Sequence, residues 1–342
     1  MDIKFPAEWE PQQAVMLAWP HDHTDWDYIL DETIACYQKI ASLILRQEDL
    51  IVVTPFPELA QRDLAHVEAC HAIHYFKVPT NDTWARDFGA ITVYHDQEPV
   101  PIDFKFNAWG LKFPAFKDNL ITQELSSCGL FRNKPVNCQG FVLEGGSVES
   151  DGYGTLMTTS QCLLSPNRNG HLTQVEIEAF LCGTLGVKKV LWLHHGEMPG
   201  DDTDAHIDTM ARFAPGNVIL YNGNSSTPGH VNPSLGMMRD QLRQFTNADG
   251  ERYHLMELPV PHPITDENGC QLPATYANFL IMNRQVLVPV YNQPDLDERA
   301  IKIIQRAFPA HEVCGVDCTS LIKQHGSLHC ITMQFPSNTL NL

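Results

Sequence analysis

The chain has 342 residues, of which 43% are hydrophobic, enough to bury the core of one large domain or two small ones. Its 41 acidic and 23 basic residues give a formal net charge of −18, which repels nucleic acid and anionic membranes and attracts cationic small molecules. The N-terminal stretch has no basic segment followed by an apolar one, and no run of about 18 apolar residues occurs. These features predict a cytoplasmic globular protein that binds neither nucleic acid nor membrane.

Six segments show the period of an amphipathic helix, at residues 27–48, 57–70, 118–128, 173–186, 235–246 and 295–309. The last is the clearest, because Pro294 precedes it, Pro309 ends it, and apolar residues recur on one face. Short β-rich runs lie between the helices, at residues 14–20, 51–56, 91–95, 189–193, 217–221 and 279–291. Strands that alternate with helices predict an α/β domain.

The later predicted helices begin at a regular interval of about 60 residues, near 118, 173, 235 and 295. Such spacing is typical of a strand–strand–helix–strand unit repeated around an axis. No low-complexity segment and no linker rich in Pro, Gly or Ser divides the chain. We therefore predict a single domain over residues 1–342.

The stretch GDDTDAHIDTMARF, residues 200–213, surrounds His206 with four carboxylates, those of Asp201, Asp202, Asp204 and Asp208. Such a density of negative charge repels itself unless a cation binds there. A metal ion is one candidate, because Asp and His are common ligands, but the spacing matches neither a calcium loop nor a zinc helix motif. An organic cation is the other candidate.

Three further segments carry residues suited to chemistry. Trp84 and Asp87 lie just before a strand, either as a buried aromatic with a capping carboxylate or as the wall and anchor of a pocket. Glu144 ends an apolar run before two glycines, which favours a partly buried, partnered carboxylate over a hairpin surface residue. Cys330 follows a Gly-containing turn, where a core cysteine and an exposed nucleophile both fit the pattern.

The order of these motifs resembles the guanidino-group modifying enzymes, and most closely the agmatine deiminases. The resemblance covers nearly the whole chain, through FPAEWEPQQAVMLAWP, TWARD, DFKFNAWG, LEGGS, GDDTDAHIDTMARF, ANFLIMN and GSLHCITMQFP. It implies an α/β propeller of five strand–strand–helix–strand units about a pseudo-fivefold axis, with the active site on that axis. Two places depart from the family pattern. Ala205 stands where glycine is usual, and many relatives have a run of glycines and an Asn where this chain has His325, Gly326, Ser327 and Leu328.

The resemblance implies a role for each catalytic candidate. Asp87 and Asp208 are expected to bind the guanidinium nitrogens, whose planar fork requires bidentate acceptors. Cys330 is expected to attack the guanidino carbon and form a covalent amidino-cysteine intermediate, which water hydrolyses. His206 is expected to transfer protons in both steps, with Glu144 hydrogen-bonded to its ring and raising its pKa. Cys330 should be activated largely when the substrate cation is present.

The implied reaction converts agmatine to N-carbamoylputrescine and ammonia, a step of polyamine biosynthesis toward putrescine, with no metal and no other cofactor. The segment IDFKFNAWG contains Lys105 but no Arg that could neutralise a substrate carboxylate, which favours agmatine over arginine. Trp84 and Trp109 are predicted to flank the aliphatic stem of the substrate. The terminal ammonium is predicted to lie near a further carboxylate, that of Asp82, Asp202 or Asp204.

Other functions remain open at the level of sequence. One is a deiminase of arginine or peptidyl-arginine, and another is an amidinotransferase that uses an amine in place of water. A third is a non-catalytic protein that keeps the acidic pocket for polyamines, although the joint presence of five catalytic candidates argues against it. The sequence also leaves a homo-oligomer open.

Overall fold

The computed structural model of the chain describes residues 2–223 and 232–342. It confirms the predicted mixed α/β class. Most buried apolar side chains form one continuous core that extends from Ala14 to Leu340. A smaller cluster surrounds Ile207, Phe213 and Met238. In the described part of the chain, no helix is both long enough and apolar enough to cross a membrane.

The strands are short, and most of them are buried. Their bounds are β1 (Ile3–Lys4), β2 (Gln12–Ala18), β3 (Asp49–Thr54), β4 (Ile73–Lys77), β5 (Ile91–His95), β6 (Glu98–Lys105), β7 (Val136–Val142), β8 (Val148–Ser150), β9 (Thr155–Thr159), β10 (Lys189–Leu193), β11 (Ala211–Ala214), β12 (Val218–Asn222), β13 (His254–Leu258), β14 (Leu280–Ile281), β15 (Gln285–Val290), β16 (Glu312–Asp317) and β17 (Thr332–Pro336). All six predicted β-rich runs are strands, and the run 279–291 divides into β14 and β15.

The helices confirm all six predicted segments and add three single turns. Their bounds are α1 (Leu30–Ile44), α2 (Pro57–Leu64), α3 (Ala85–Phe88), α4 (Ala108–Leu111), α5 (Ile121–Ser127), α6 (Ser160–Leu163), α7 (Gln174–Leu185), α8 (Pro233–Leu242) and α9 (Pro294–Ala307). The turn α4 is left-handed, because all four of its residues have positive φ.

Within the described residues, the strands form five separate sheets that share one pattern. A middle strand pairs antiparallel with one neighbour and parallel with the other. The strand orders are β17-β2-β3-β4, β1-β5-β6-β7, β10-β9-β8, β11-β12-β13 and β14-β15-β16. The first sheet therefore joins the two ends of the chain, with Gln334 of β17 opposite Val15 of β2.

In each unit, a helix of at least seven residues lies between the two parallel strands, which need a crossover connection. These helices are α1, α5, α7, α8 and α9 in chain order. The last four begin at Ile121, Gln174, Pro233 and Pro294, close to the predicted positions. The strand–strand–helix–strand repeat that the helix spacing predicted is therefore present five times in the described chain.

Local sequence explains where these helices begin and end. α9 begins at Pro294 and carries Asp295 in its first turn. Its apolar face, which includes Ala300 and Ile304, is buried against the sheet of the same unit. At the start of α7, the Thr173 and Glu176 side chains form a capping box. α7 ends at Gly186, whose φ of 69° and close approach to the Ile3 carbonyl leave no room for a side chain.

Candidate active site

Five connecting segments, each leading into the first strand of a unit, bring polar side chains together. They carry Asp87 before β5, Glu144 before β8, Asp208 before β11, Asn278 before β14 and Cys330 before β17. The Cys330 Sγ lies 3.4 Å from Asn278 Oδ1 and 3.8 Å from Asp208 Oδ2. His206 Nδ1 lies 3.6 Å from Asp87 Oδ1. The predicted catalytic residues therefore converge, although they are far apart in sequence.

Gly146 keeps a gap open among three of these groups. A Cβ atom at this position would lie 2.7 Å from His206 Nδ1, 2.8 Å from Asp87 Oδ1 and 3.0 Å from Asp208 Oδ2. The main-chain N–H of Gly146 donates to Asp87 Oδ1 at 2.9 Å. Only glycine can hold this hydrogen bond and leave the gap between the carboxylates empty.

The nucleophile candidate is a buried thiol held by the main chain around it. The Cys330 carbonyl accepts a hydrogen bond from the Arg86 N–H, and the Cys330 N–H donates to Asn278 Oδ1. Burial, followed by the negative charges of Asp208 and Asp87, raises the pKa of Cys330 well above its ordinary value. The side chain is therefore a neutral thiol in the ligand-free protein, which matches the expectation that a substrate cation activates it.

Asp87 is surrounded by neutral donors. Its Oδ2 accepts a hydrogen bond from the Trp109 indole at 2.9 Å, and its Oδ1 accepts the one from Gly146. Burial, followed by the charge of Asp208, raises the pKa of Asp87 well above its ordinary value. The surroundings of Asp87 therefore disfavour its ionised form in the ligand-free protein.

Asp208 has a histidine neighbour instead. Its Oδ2 lies 2.8 Å from Nδ1 of His329, and its Oδ1 has no hydrogen-bond partner among the described residues. Burial raises the pKa of Asp208, but the hydrogen bond and the charge of His329 outweigh burial and bring the pKa below its ordinary value. Asp208 is therefore the ionised member of the carboxylate pair.

A cavity of about 230 Å³ ends at Cys330 and Asp87. Trp84 and Trp109 form two of its walls, with their ring centroids 6.5 Å apart. Its remaining lining includes the carboxylates of Asp25, Asp82 and Asp202 and contains no Lys or Arg among the residues that the structure describes. The cavity is therefore narrow, aromatic and acidic, as a site for a slender organic cation requires.

Two carboxylates that line the cavity are only partly ionised at neutral pH. Burial and the charge of Asp25 raise the pKa of Asp82 to about 7, although Trp84 and Trp26 donate hydrogen bonds to it. Burial raises the pKa of Asp202 to about 6 in spite of the opposing charge of His325. A bound cation would complete the ionisation of both groups.

Comparison with known proteins identifies the family. The profile of the Porphyromonas-type peptidyl-arginine deiminase family matches residues 4–336. The chain belongs to this family. A relative from Shewanella sp. (strain MR-4), provisionally named an agmatine deiminase, is 36% identical over 97% of this chain and 94% of its own length.

Two solved structures of similar proteins cover almost the whole chain. One, from Porphyromonas gingivalis and provisionally named an arginine deiminase, shares 46% identity with a TM-score of 0.92 over 99% of this chain and 100% of its own. The other is a cysteine-to-serine variant of the C. jejuni agmatine deiminase with substrate bound. It shares 35% identity with a TM-score of 0.90 over 97% of this chain and 96% of its own.

The two departures from the family's glycine pattern fall at left-handed backbone positions. Ala205 and His325 both have a φ of 64°, which glycine adopts freely and other residues adopt at a cost of about 1–2 kcal/mol. Hydrogen bonds offset this cost, because Asp201 accepts from the Ala205 N–H and Nδ1 of His325 lies 2.8 Å from the Gly200 carbonyl oxygen. The backbone shape that glycine permits is therefore retained without glycine.

The predicted hydrogen bond between Glu144 and His206 is absent. Arg168 Nε donates to both Glu144 oxygens, at 2.8 and 3.1 Å, so a buried guanidinium occupies the carboxylate. Neither ring nitrogen of His206 has a hydrogen-bond partner within the described chain, and burial lowers its pKa to about 3. The predicted rise of the His206 pKa is therefore wrong for the ligand-free protein, and Glu144 lies near the ring without orienting it.

Asp204 is also committed elsewhere. It accepts from Arg168 Nη1 at 2.6 Å and from Lys112 Nζ at 2.8 Å, and it does not line the cavity. In the ligand-free protein the Asp204 carboxylate is therefore held by Arg168 and Lys112, and its contact with the substrate tail stays a prediction. Asp201 caps its own loop by accepting hydrogen bonds from the main-chain N–H groups of Thr203 and Ala205. Three of the four carboxylates of this acidic stretch, those of Asp201, Asp204 and Asp208, thus have separate partners.

Among the described residues, two groups could place three ligand atoms around a metal ion, His21 with Asp22 and His23, and Glu144 with Cys162 and His206. The second group lies in the candidate site, but its Glu144 carboxylate is already paired with the Arg168 guanidinium. That fixed positive charge opposes a cation at the same oxygens. The geometry therefore gives no support for metal chemistry there.

Several site residues were not predicted from the sequence. Asn278 lies in ANFLIMN, a stretch that carried the family resemblance without a role, and Asp25 lies in the His- and Asp-rich segment that follows FPAEWEPQQAVMLAWP. Arg168 follows Asn167 in a loop with no charge pattern that would mark a buried cation. His329 could have been found, because it directly precedes Cys330.

Proposed function

We propose that this protein hydrolyses the guanidino group of agmatine to give N-carbamoylputrescine and ammonia, through a covalent amidino intermediate on Cys330. The observation that carries the proposal is the part of the acidic cavity that Cys330 and Asp87 line, where the buried Asp208 Oδ2 lies 3.8 Å from the Cys330 sulfur. Two carboxylates beside one soft nucleophile are what a planar cation with a weakly electrophilic carbon requires.

In the first step the guanidinium enters the gap beside Gly146 and pairs with Asp87 and Asp208. Its charge offsets the carboxylates that disfavour the Cys330 thiolate, so the thiol transfers its proton through neutral His206. The sulfur then bonds to the guanidino carbon, and the departing nitrogen takes the proton and leaves as ammonia. The substrate-bound relative is a cysteine-to-serine variant, which supports a thiol as nucleophile.

In the second step water replaces ammonia. His206 accepts a proton from the water, whose oxygen attacks the amidino carbon, and the bond to sulfur breaks to give the ureido product and the free Cys330 thiol. A low His206 pKa suits this role, because the ring is neutral and able to accept a proton when each step begins. We retain Glu144 as a site residue that fixes Arg168 beside the ring.

The cavity lining supports agmatine as the substrate. Free arginine carries a carboxylate that requires a cationic partner, and no Lys or Arg of the described chain lines the cavity. Agmatine ends in an ammonium group, which Asp82 and Asp202 can bind while Trp84 and Trp109 enclose the aliphatic stem. A similar protein is named an agmatine deiminase with substrate bound, which favours the same choice.

We also propose that residues 1–342 form one catalytic domain in which the five sheets surround a common axis as the blades of a propeller. The support is the origin of the site residues, since each of the five segments that lead into a unit contributes one side chain to a single cluster. All ten cysteines are free, and a reducing cytoplasm would keep Cys330 in that state.

The decisive experiment supplies purified protein with agmatine, arginine or an arginine-containing peptide and measures ammonia and ureido product. We expect agmatine to give the highest kcat/KM of the three. Faster hydrolysis of arginine or the peptide would support the corresponding deiminase, and transfer to an added amine would support an amidinotransferase. Absence of turnover with every guanidine, in folded protein, would contradict the enzymatic function.

A further inference from the structure

A buried chain of ionisable groups connects Asp208 to the N-terminal segment. Nδ1 of His329 lies 2.8 Å from Asp208 Oδ2, and Nε2 of the same ring lies 2.7 Å from Glu8 Oε1. His329 and Asp208 are fully buried, and Glu8 lines a separate cavity of about 40 Å³ rather than the cavity that ends at Cys330. The imidazole thus bridges a site carboxylate and a carboxylate that has no contact with the substrate cavity.

Two arginines hold Glu8 in place. Arg212 Nη2 donates to Glu8 Oε2 at 2.6 Å, and Arg86 Nη1 donates to Glu8 Oε1 at 3.2 Å. Arg212 is itself anchored, because it also donates to Glu149 and to the Phe279 carbonyl. These contacts keep Glu8 ionised, since the charges of Arg212, His329 and Arg86 outweigh burial and hold the pKa of Glu8 well below its ordinary value.

The hydrogen-bond count determines the charge of His329. An ionised carboxylate only accepts hydrogen bonds, so a ring placed between two such groups satisfies both only when each nitrogen carries a proton. Burial, Arg212 and Arg86 outweigh Glu8 and Asp208 and lower the pKa of His329. The contact geometry favours the protonated ring in spite of this, because a neutral ring would turn a lone pair toward one of two carboxylates that lie only 2.7 and 2.8 Å away.

We propose that His329 is a positioning residue, held as an imidazolium between Glu8 and Asp208, and that it keeps Asp208 ionised and fixed before the substrate binds. The inference rests on the proposed function, because it assumes that Asp208 binds the guanidinium. It adds two residues, His329 and Glu8, that neither touch the substrate cavity nor react. Their effect on turnover acts through Asp208 alone.

The proposal has a defined pH signature. The titratable and charged groups that face His329 are Glu8, Arg86, Asp208 and Arg212, with Glu149 behind Arg212. Removing the imidazolium takes away the only one of these groups that donates a charged hydrogen bond to Asp208, so the pKa of Asp208 rises. Below the new pKa the carboxyl is neutral and cannot bind the guanidinium, so the acid limb of kcat/KM moves to higher pH.

The test compares His329→Asn with the wild type on agmatine. Asn can still donate a hydrogen bond toward Asp208 but carries no charge and does not reach Glu8. We expect kcat/KM at neutral pH to fall by about 10- to 100-fold, because a charged hydrogen bond to a buried group is lost. The defect should shrink as pH rises, and the change should lie mainly in KM. An unchanged pH profile in a folded, active variant would overturn the inference and leave the proposed function standing.

Two further variants separate charge from packing. Glu8→Gln should shift the acid limb in the same direction by a smaller amount, with a loss of about 3- to 10-fold at neutral pH, because the ring loses one ionic partner. Asp151→Asn is the matched control, since Asp151 is a buried carboxylate whose partners Tyr153, Thr155 and Tyr253 lie outside this network. Its acid limb should stay in place, and a shift equal to that of Glu8→Gln would contradict the proposal.

A spectroscopic measurement, which requires no turnover, gives the number of protons on the His329 ring directly. Nitrogen-15 spectra of wild-type protein labelled at histidine, with the His329 signals assigned by their absence in His329→Asn, should show two protonated ring nitrogens at pH 7. A neutral ring at that pH would refute the inference. Protein that shows the imidazolium but hydrolyses no guanidine would instead contradict the proposed function alone.

Discussion

Asp87 and Asp208 are the same residue type at the same depth in one site, yet their pKa values are shifted in opposite directions. Asp87 accepts from two neutral donors, the Gly146 N–H and the Trp109 indole, and its pKa is raised. Asp208 accepts from His329, and its pKa is lowered. Burial is common to both carboxyl groups, so the charge of the hydrogen-bond donor decides which of them is ionised.

This difference limits the self-repulsion of the empty site. Because its surroundings disfavour the ionised form of Asp87, the empty site carries less negative charge than two fully ionised carboxylates would give it. A guanidinium that binds between them favours ionisation of Asp87, so substrate binding should release a proton. In the ligand-free protein the ionised form of Asp87 is thus disfavoured until the cation binds.

Removing the thiol isolates the carboxylate pair from the chemistry and has the largest expected effect. Cys330→Ala should abolish ammonia release from agmatine and still allow agmatine to bind, because the carboxyl groups of Asp87 and Asp208 remain. Calorimetric titration in buffers of different ionisation enthalpy should detect release of about one proton on binding. Cys314→Ser, a change at a cysteine outside the site, should retain full turnover. Activity in Cys330→Ala would show that the nucleophile is misassigned.

Replacing each carboxylate in turn tests their inequivalence. Asp208→Asn should lower kcat/KM for agmatine by about 1000-fold, because it removes the charge that is present before binding. It should also lower the free energy of unfolding at pH 7 by about 3 kcal/mol, since it leaves the His329 cation without that partner. Urea unfolding and steady-state rates measure both effects.

Asp87→Asn should behave differently from Asp208→Asn. A raised pKa means that the folded protein binds a proton that the unfolded chain has lost, so stability falls as pH rises from the unfolded pKa toward the folded one. Asn removes this dependence, and the free energy of unfolding at pH 8 should rise or stay within about 0.5 kcal/mol of the wild-type value. Activity should still fall strongly. Equal destabilisation by the two substitutions would contradict the assigned charges.

Filling the gap between the carboxylates should have the next largest effect. The Cβ atom of Gly146→Ala would crowd His206, Asp87 and Asp208, so we expect kcat/KM to fall by about 100-fold with the carboxylates still present. Gly140→Ala is the matched control, because a Cβ atom there meets nothing within 4 Å. Equal activities of the two variants would show that the guanidinium does not occupy this gap.

The smallest expected effect comes from the neutral donor to Asp87. Trp109→Phe keeps an aromatic wall and removes one hydrogen bond, so the pKa of Asp87 should rise further and kcat/KM should fall by up to about 10-fold, most strongly at low pH. Trp192→Phe removes an indole hydrogen bond to Glu178 outside the site and should leave the pH profile unchanged. A similar loss in both variants would point to packing rather than to Asp87.

Much of the fold follows from the sequence, because helix periodicity and Pro or Gly boundaries are local signals. The helices α7 and α9 begin and end within a few residues of their predicted limits. Strands such as β8, at three residues, are too short to show an alternating pattern, and their existence depends on pairing with β9. Local sequence therefore predicts the helices better than the sheets.

Some residues of the site could likewise be predicted from the sequence, and others could not. Cys330, Asp87 and Asp208 were predictable because they stand in recognisable motifs and converge as expected. The partner of Glu144 was not, since Arg168 comes from a loop whose path to Glu144 no short-range pattern encodes. The charge difference between the two aspartates was equally hidden, because it depends on which donor each meets after folding.

The pairing of β17 with β2 has a consequence for biosynthesis. β2 leaves the ribosome long before its antiparallel partner β17 is made, so the growing chain carries an open apolar edge in the meantime. The same late segment delivers Cys330 and His329. A nascent chain therefore lacks its nucleophile until β17 is made and pairs with β2. A product truncated before β17 would be both inactive and prone to aggregate.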